Sequence, residues 1–393
     1  MATTPTDKGG APPPHEMPQS KPLQIFLLVA LVISGASYVA DEWNQVFAPR
    51  RATPDRLHRL VEARSEYASH MEAGLRMLRL NQLDAALEQF RLASQAQNTA
   101  ESHYNTAATL LKLSRPDDAI TEFTNAVHIN PHYAEVYFAW GNALMAQGKP
   151  DQALSVFRDA IQGSPNSGLA QFDVALALMA QQKEAQAALR AAQSEDRTND
   201  VATLTAQTDR LRAEALQHIM QAHRLGLERP DLSFACGQLL SQELKFAEAE
   251  SWLLSAVSNK PDVADAHFAL GVAQSHLGKD ADAISQFNAT LVLRHDDPPT
   301  LDRLAFLYAT TTNADLRSPK MAIQLATRAN EAATSQNPRF MDTLARCYAA
   351  DGDFLQALNW EGQAINRATQ IHDTALLKEL QARNALFVDH KTE

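Results

Sequence analysis

The sequence predicts an all-α protein, a solenoid of stacked helical hairpins, on three observations. Glycine is scarce (14 of 393 residues) and alanine abundant, which favours close-packed helices over sheets. Apolar residues recur with the helical period over most of the chain. Small and aromatic residues return together about every 34 residues, the mark of a repeat array.

The elements follow in order. Residues 1–22 carry Pro5, Pro12, Pro13, Pro14, Pro18 and Pro22 with hardly an apolar side chain, so a disordered tail is expected. Leu23–Ala40, LQIFLLVALVISGASYVA, contains no charge. As a helix it would span roughly 27 Å, enough for one transmembrane helix. Tyr38, Trp43 and Phe47 are placed as interfacial aromatics. A cleaved signal peptide is the competing reading, with Ser34-Gly35-Ala36 as its cleavage site. Lys21 before the run and Asp41-Glu42 after it favour extracytoplasmic repeats, whereas Arg50, Arg51, Arg56 and Arg59 pull the other way. Residues 41–66 read as a juxtamembrane linker and a helix begun at Thr53-Pro54-Asp55, which runs into the repeats without a breaker.

Residues 67–167 form a first repeat block. Gly74, Ala107 and Gly141 share one slot, and Ala86, Ala119 and Ala153 a second. Phe90, Phe123 and Phe157 fall four residues later, followed by Ala93, Ala126 and Ala160. Each unit is two amphipathic helices whose small residues let the backbones approach while the phenylalanine fills the space between. Pro131, Pro165 and Pro261 end second helices. One hairpin cannot bury its own face, so neighbours must stack on it. A second block, 230–368, repeats the series through Gly237, Ala249 and Leu253, then Gly271, Ala283 and Phe287. Ala305, Ala322, Ala326 and Ala329 continue it across an insertion at Asp315–Pro319, and Ala345, Ala357 and Ala364 close it. Between the blocks, 168–229 is irregular. There DVALALMAQQKEAQAALRAAQ reads as a helix pair with Ala175 and Ala187 in the small slots, followed by a long amphipathic stretch from Val201 to Leu227. Residues 369–393 read as a capping helix.

These slots resemble the signature of the tetratricopeptide repeat (TPR) family, with small, small, aromatic, small and proline at matching offsets. The closing stretch, 337–368, is similar to the terminal repeats of bacterial envelope members. The resemblance implies a right-handed α-solenoid of TPR units that binds protein or peptide segments. With the apolar run, it implies a single-pass protein of the bacterial inner membrane. It also implies that the first helix of each pair lines an inner groove. The exposed groove positions hold the candidate binding residues Tyr104, Asn105, Phe138, Asn142, Phe234, Gln238 and Phe268, with Asp302, Arg303 and Arg346 beyond them. Chaperone-adaptor members grip an acidic C-terminal peptide with basic and Asn side chains. Asn105 and Asn142 are present here, but Met71, Phe138 and Ala139 stand where basic partners belong. Aromatics interleaved with amides instead suit an extended or helical apolar segment. The competing reading packs these aromatics within the array.

Composition narrows the function further. A net charge of −11 opposes nucleic-acid binding. Two cysteines, Cys236 and Cys347, exclude a disulfide framework, and both read as buried structural thiols. His70, His103 and His267 share one repeat slot, which points to inter-helix packing rather than to a metal site. No nucleophile elbow, zinc-protease or phosphate-loop motif occurs, so neither catalysis, a cofactor nor a small-molecule substrate is expected. The reading is a non-catalytic, membrane-tethered scaffold or assembly factor. A chaperone for secreted or envelope proteins is the alternative. An enzyme using Asp173, His218 or His223 in the irregular region is the third.

Overall fold

A computed structural model describes residues 54–195, 197–334 and 337–392. Among them are 17 helices and no strand. The helices are α1 (Pro54–Arg79), α2 (Leu83–Ala96), α3 (Ala100–Lys112), α4 (Pro116–Ile129), α5 (Ala134–Ala146) and α6 (Pro150–Gly163). Two long helices follow, α7 (Gly168–Ser194) and α8 (Thr198–Arg224). The array resumes with α9 (Pro230–Gln242), α10 (Phe246–Asn259), α11 (Ala264–His276), α12 (Asp280–Leu293), α13 (Pro298–Thr310) and α14 (Pro319–Ala332). It ends with α15 (Pro338–Ala350), α16 (Phe354–Gln370) and α17 (Thr374–Val388). From Ser69 onward the chain is one unit, in which consecutive helices pair and each pair packs on the next.

The repeat slots explain the close approach. A Cβ added at Gly74 would lie 2.6 Å from the Phe90 ring, at Gly141 2.1 Å from Phe157, at Gly237 2.5 Å from Leu253 and at Gly271 2.8 Å from Phe287. Phe90, Phe123, Phe157 and Phe287 are all fully buried, as are the alanines four residues before each. Proline opens α4, α6, α9, α13, α14 and α15, where its missing N–H costs no hydrogen bond.

The shared histidine slot is a strut between helices. His70 Nδ1 lies 2.8 Å from Gln89 Oε1, His103 Nδ1 2.5 Å from Glu122 Oε2 and His267 Nδ1 2.7 Å from Gln286 Oε1, each partner 19 residues on. Tyr137 occupies that slot in the third hairpin and donates its hydroxyl to the Pro131 carbonyl (3.0 Å). His267 reaches the equivalent Pro261 carbonyl through Nε2, also at 3.0 Å.

Two expectations are corrected. The segment DVALALMAQQKEAQAALRAAQ is not a helix pair but part of the single 27-residue helix α7. It contains no Gly or Pro to break it, and one buried stripe runs through Ala175, Leu178, Gln182, Ala185 and Ala192. Ala187 is accordingly exposed rather than in a small slot. The second correction concerns localisation. No helix among the described residues is long and apolar enough to cross a membrane, because even α7 and α8 are studded with charged and amide side chains. The expected anchor, Leu23–Ala40, and the tail before it lie outside the described residues. The placement in an inner membrane, with extracytoplasmic repeats, is therefore withdrawn.

Candidate functional site

The first helices α3, α5, α9, α11, α13 and α15 carry the groove positions. Each helix is fixed by the small-residue contact with its partner, which leaves the flanking side chains on another face. Tyr104 is half-buried, with its ring 6.4 Å from Phe123 and 5.6 Å from Tyr133. Asn105 donates its amide to the Glu101 carbonyl of its own helix (2.9 Å). Phe138 and Phe234 are half-buried against the same central core, and Phe268 packs tilted on Phe287 at 5.9 Å. Gln238 is half-buried and Asn142 exposed. The four aromatics thus each spend part of their surface on the core and keep part outside it.

Asn142 marks a concavity. With Leu111, Pro116, Ala139, Ala143 and Ala146 it lines a cavity of about 550 Å³ between α3, α4 and α5. Its walls are largely apolar, with Ser114, Asn142 and Gln147 as the polar part. Such a lining can bury an apolar side chain while an amide meets its backbone.

A second cavity, about 230 Å³ between α13 and α15, is charged instead. Asp302, Arg303 and Phe306 face Arg339, Asp342, Thr343 and Arg346 across it. The Arg346 guanidinium lies over the Phe306 ring at 5.3 Å, while Nε meets Asp342 at 3.4 Å. Arg383 from α17 binds the other Asp342 oxygen at 2.5 Å. Burial pushes the Asp302 carboxyl up to about 6, against the pull of a Thr343 hydrogen bond and of Arg303. The groove spacing points to Asp302, Arg303 and Arg346, but not to Asp342, Arg383 or Glu361, which complete the cluster. Glu361 carried a legible signal: a carboxylate at the slot that holds phenylalanine, leucine or alanine in other repeats.

In the long-helix region Asp173, His218 and His223 do not converge. His218 Nδ1 lies 2.6 Å from Gln171 Oε1, and the His223 ring sits edge-on to Trp252 at 4.8 Å. Asp173 is buried, and desolvation raises its carboxyl to about 7, with Arg229 opposing and Asp231 reinforcing the shift. Burial likewise pushes the Cys236 thiol up to about 12 and raises that of Cys347, which leaves both poor nucleophiles. No group of three or more His, Cys, Asp or Glu able to hold a metal occurs among the described residues.

The family model described as "Tetratricopeptide repeat" matches residues 71–134, 138–200 and 235–298, just under half of the chain. Among solved structures, the chain is similar to YrrB, described as a TPR protein with an unusual peptide-binding site. The identity is 19% over 54% of this chain and 92% of that one, with a TM-score of 0.42. It is also similar to pilF of Pseudomonas aeruginosa, at 19% identity over 64% of this chain and 97% of that one, TM-score 0.45. The C-terminal part of a TPR protein from Cytophaga hutchinsonii gives 13% identity over 70% and 99%, TM-score 0.46. Likeness of this degree says nothing of ligands. A comparison with curated proteins finds no matching sequence.

Proposed function

Because residues 71–134, 138–200 and 235–298 are tetratricopeptide repeats, we propose that this chain is a non-catalytic scaffold or assembly factor that holds protein segments on the face of its first helices. The observation that carries this reading is the largely apolar cavity beside the exposed Asn142. It suits one apolar side chain of an extended or helical segment, and the half-buried aromatics Phe138, Phe234 and Phe268 offer further apolar surface along the array. Tyr104, Asn105 and Gln238 complete the proposed site. Neither a cofactor nor a small-molecule substrate enters this reading, and the net charge of −11 opposes a nucleic-acid partner.

The test is site-specific photo-cross-linking. A photoreactive residue at Asn142 should capture a defined protein, and Ala139→Asp, which places a carboxylate in the cavity, should abolish capture without unfolding the chain. Capture that is unchanged by Ala139→Asp would place the binding surface elsewhere. A chaperone for many clients would instead give a broad set of cross-linked proteins of unrelated sequence.

A further inference from the structure

One repeat slot breaks its own rule. The second helices place Phe90, Phe123, Phe157, Leu253 and Phe287, and in α14 Ala326, opposite the small residue of their partners, all of them apolar and fully buried. In the last hairpin that slot, opposite Ala345, is Glu361. It stands in the buried stripe of α16 with Ala357, Ala364 and Ala368, and its exposure is 0%. Neither carboxylate oxygen finds a hydrogen-bond donor. A carboxylate in such a place pays for desolvation without compensation.

Its charged neighbours come from two helices. Asp342 and Arg346 face it from α15, and Arg383 faces it from α17. Beyond Asp342 lies Asp302 of α13. Both arginines already hold Asp342, Arg346 at 3.4 Å and Arg383 at 2.5 Å, and Asp342 stands within hydrogen-bonding reach of Glu361. The neutral acid therefore fits: its hydroxyl can donate to Asp342 while Asp342 keeps both arginines. The ionised form would repel Asp342 and stay unsolvated as long as α17 covers the stripe, a penalty that the pull of Arg383, which ties α17 to α15 through Asp342, only partly opposes. That tie supplements an apolar seat, in which Leu376 and Leu380 pack with Met341, Ala364 and Ala368, and Phe387 with Ala345, Ala349 and Ala357.

We propose that Glu361 is a proton-operated latch, which holds α17 on the last hairpin while neutral and loosens it on ionising. Burial, with the negative charge of Asp342 beside it, raises the Glu361 carboxyl to about 8 against the pull of Arg383 and Arg346. The latch thus closes below that pH and opens above it. Two other links join the same elements, the His390 ring on Phe354 at 4.8 Å and the Arg339–Glu379 pair at 3.9 Å. The His390 contact belongs to the same interface, so it is given its own control.

The experiment is amide hydrogen exchange across residues 374–388 of the full chain at about pH 6 and about pH 9.5, corrected for the intrinsic effect of pH. Protection should fall about tenfold or more in the wild type and hardly change in Glu361→Gln, which keeps the shape without the charge. His390→Ala should retain the wild-type fall. The proposal is overturned if Glu361→Gln behaves like the wild type, if the wild type shows no fall, or if His390→Ala abolishes it. Should Glu361→Gln fail to fold, the infrared spectrum of wild-type protein labelled with ¹³C at the glutamate side-chain carboxyl decides. A protonated glutamic acid band at neutral pH that vanishes above pH 9 supports the latch, and its absence at pH 7 sinks it.

Discussion

Gly141 and Phe157 share a space that only a hydrogen atom leaves open: a Cβ at 141 would stand 2.1 Å from the Phe157 ring. The ring is fully buried and cannot swing aside. Gly141→Ala should therefore destabilise the chain by about 1–3 kcal/mol through overpacking. Gly362, inside α16, is the control, since a Cβ there meets nothing within 4 Å. Gly362→Ala should stabilise by about 0.5–1 kcal/mol through helix propensity. Urea denaturation of the two variants separates them by sign, and destabilisation by both would mean that the contact with Phe157 is not what sets Gly141 apart.

Leu244 offers a gain. It turns the chain between α9 and α10 at φ 59°, where Gly148 and Gly278 serve in the equivalent turns, and it is 75% exposed. A left-handed conformation costs a β-carbon residue roughly 1–2 kcal/mol. Leu244→Gly should raise stability by up to about 1 kcal/mol, the relief being partly offset by the freedom glycine adds to the unfolded chain. A lowered melting temperature in that variant would show that the leucine makes compensating contacts.

Asp173 sets a pH dependence in the middle of the chain. Its folded carboxyl titrates at about 7 instead of 3.8. The folded state thus holds a proton that the unfolded chain gives up, so the contribution is full below about pH 4 and lost as pH rises through 7. Asp173→Asn should flatten this fall, seen as a smaller difference between urea midpoints at about pH 4.5 and about pH 8. Equal slopes in variant and wild type would assign the dependence to other groups.

Phe138 and Phe268 are tested on two axes. Each is half-buried against the core, so alanine should cost about 1–3 kcal/mol of stability, less than a fully buried ring. As anchors of a bound segment they should each also contribute about 1–2 kcal/mol to affinity, with weak salt dependence because few charges face them. Isothermal titration with the cross-linked partner, well below the melting temperature of each variant, separates the two. Affinity unchanged in both variants would make these rings structural alone.

The hairpins were legible because each slot is a physical contact: glycine where the Phe157 ring presses, histidine where Gln89, Glu122 or Gln286 waits 19 residues on. The unbroken α7 departs from the repeat period because its segment lacks the breakers that end the other helices. The stripe from Ala175 to Ala192 already gave one continuous helical face. The largely apolar cavity at Asn142 follows from the groove register, which named one of its edges but not its depth. The charged cluster was half legible. Glu361 shows in its slot, but its partner Arg383 sits on α17, outside any repeat register, and only the fold brings it to Asp342.

The length of α7 has a mechanical consequence. Its far end touches α17, and Arg190, Gln193 and Ser194 share the wall of a cavity of about 670 Å³ with Arg339, Ile371 and Asp373. An open stack of hairpins can stretch like a spring, since each touches only its neighbours. Here the long helix is a chord that joins the spring partway along to its last turn. The hairpins from α9 to α16 lie within a closed circuit, where extension at any one must be matched by compression at others or by parting of the chord.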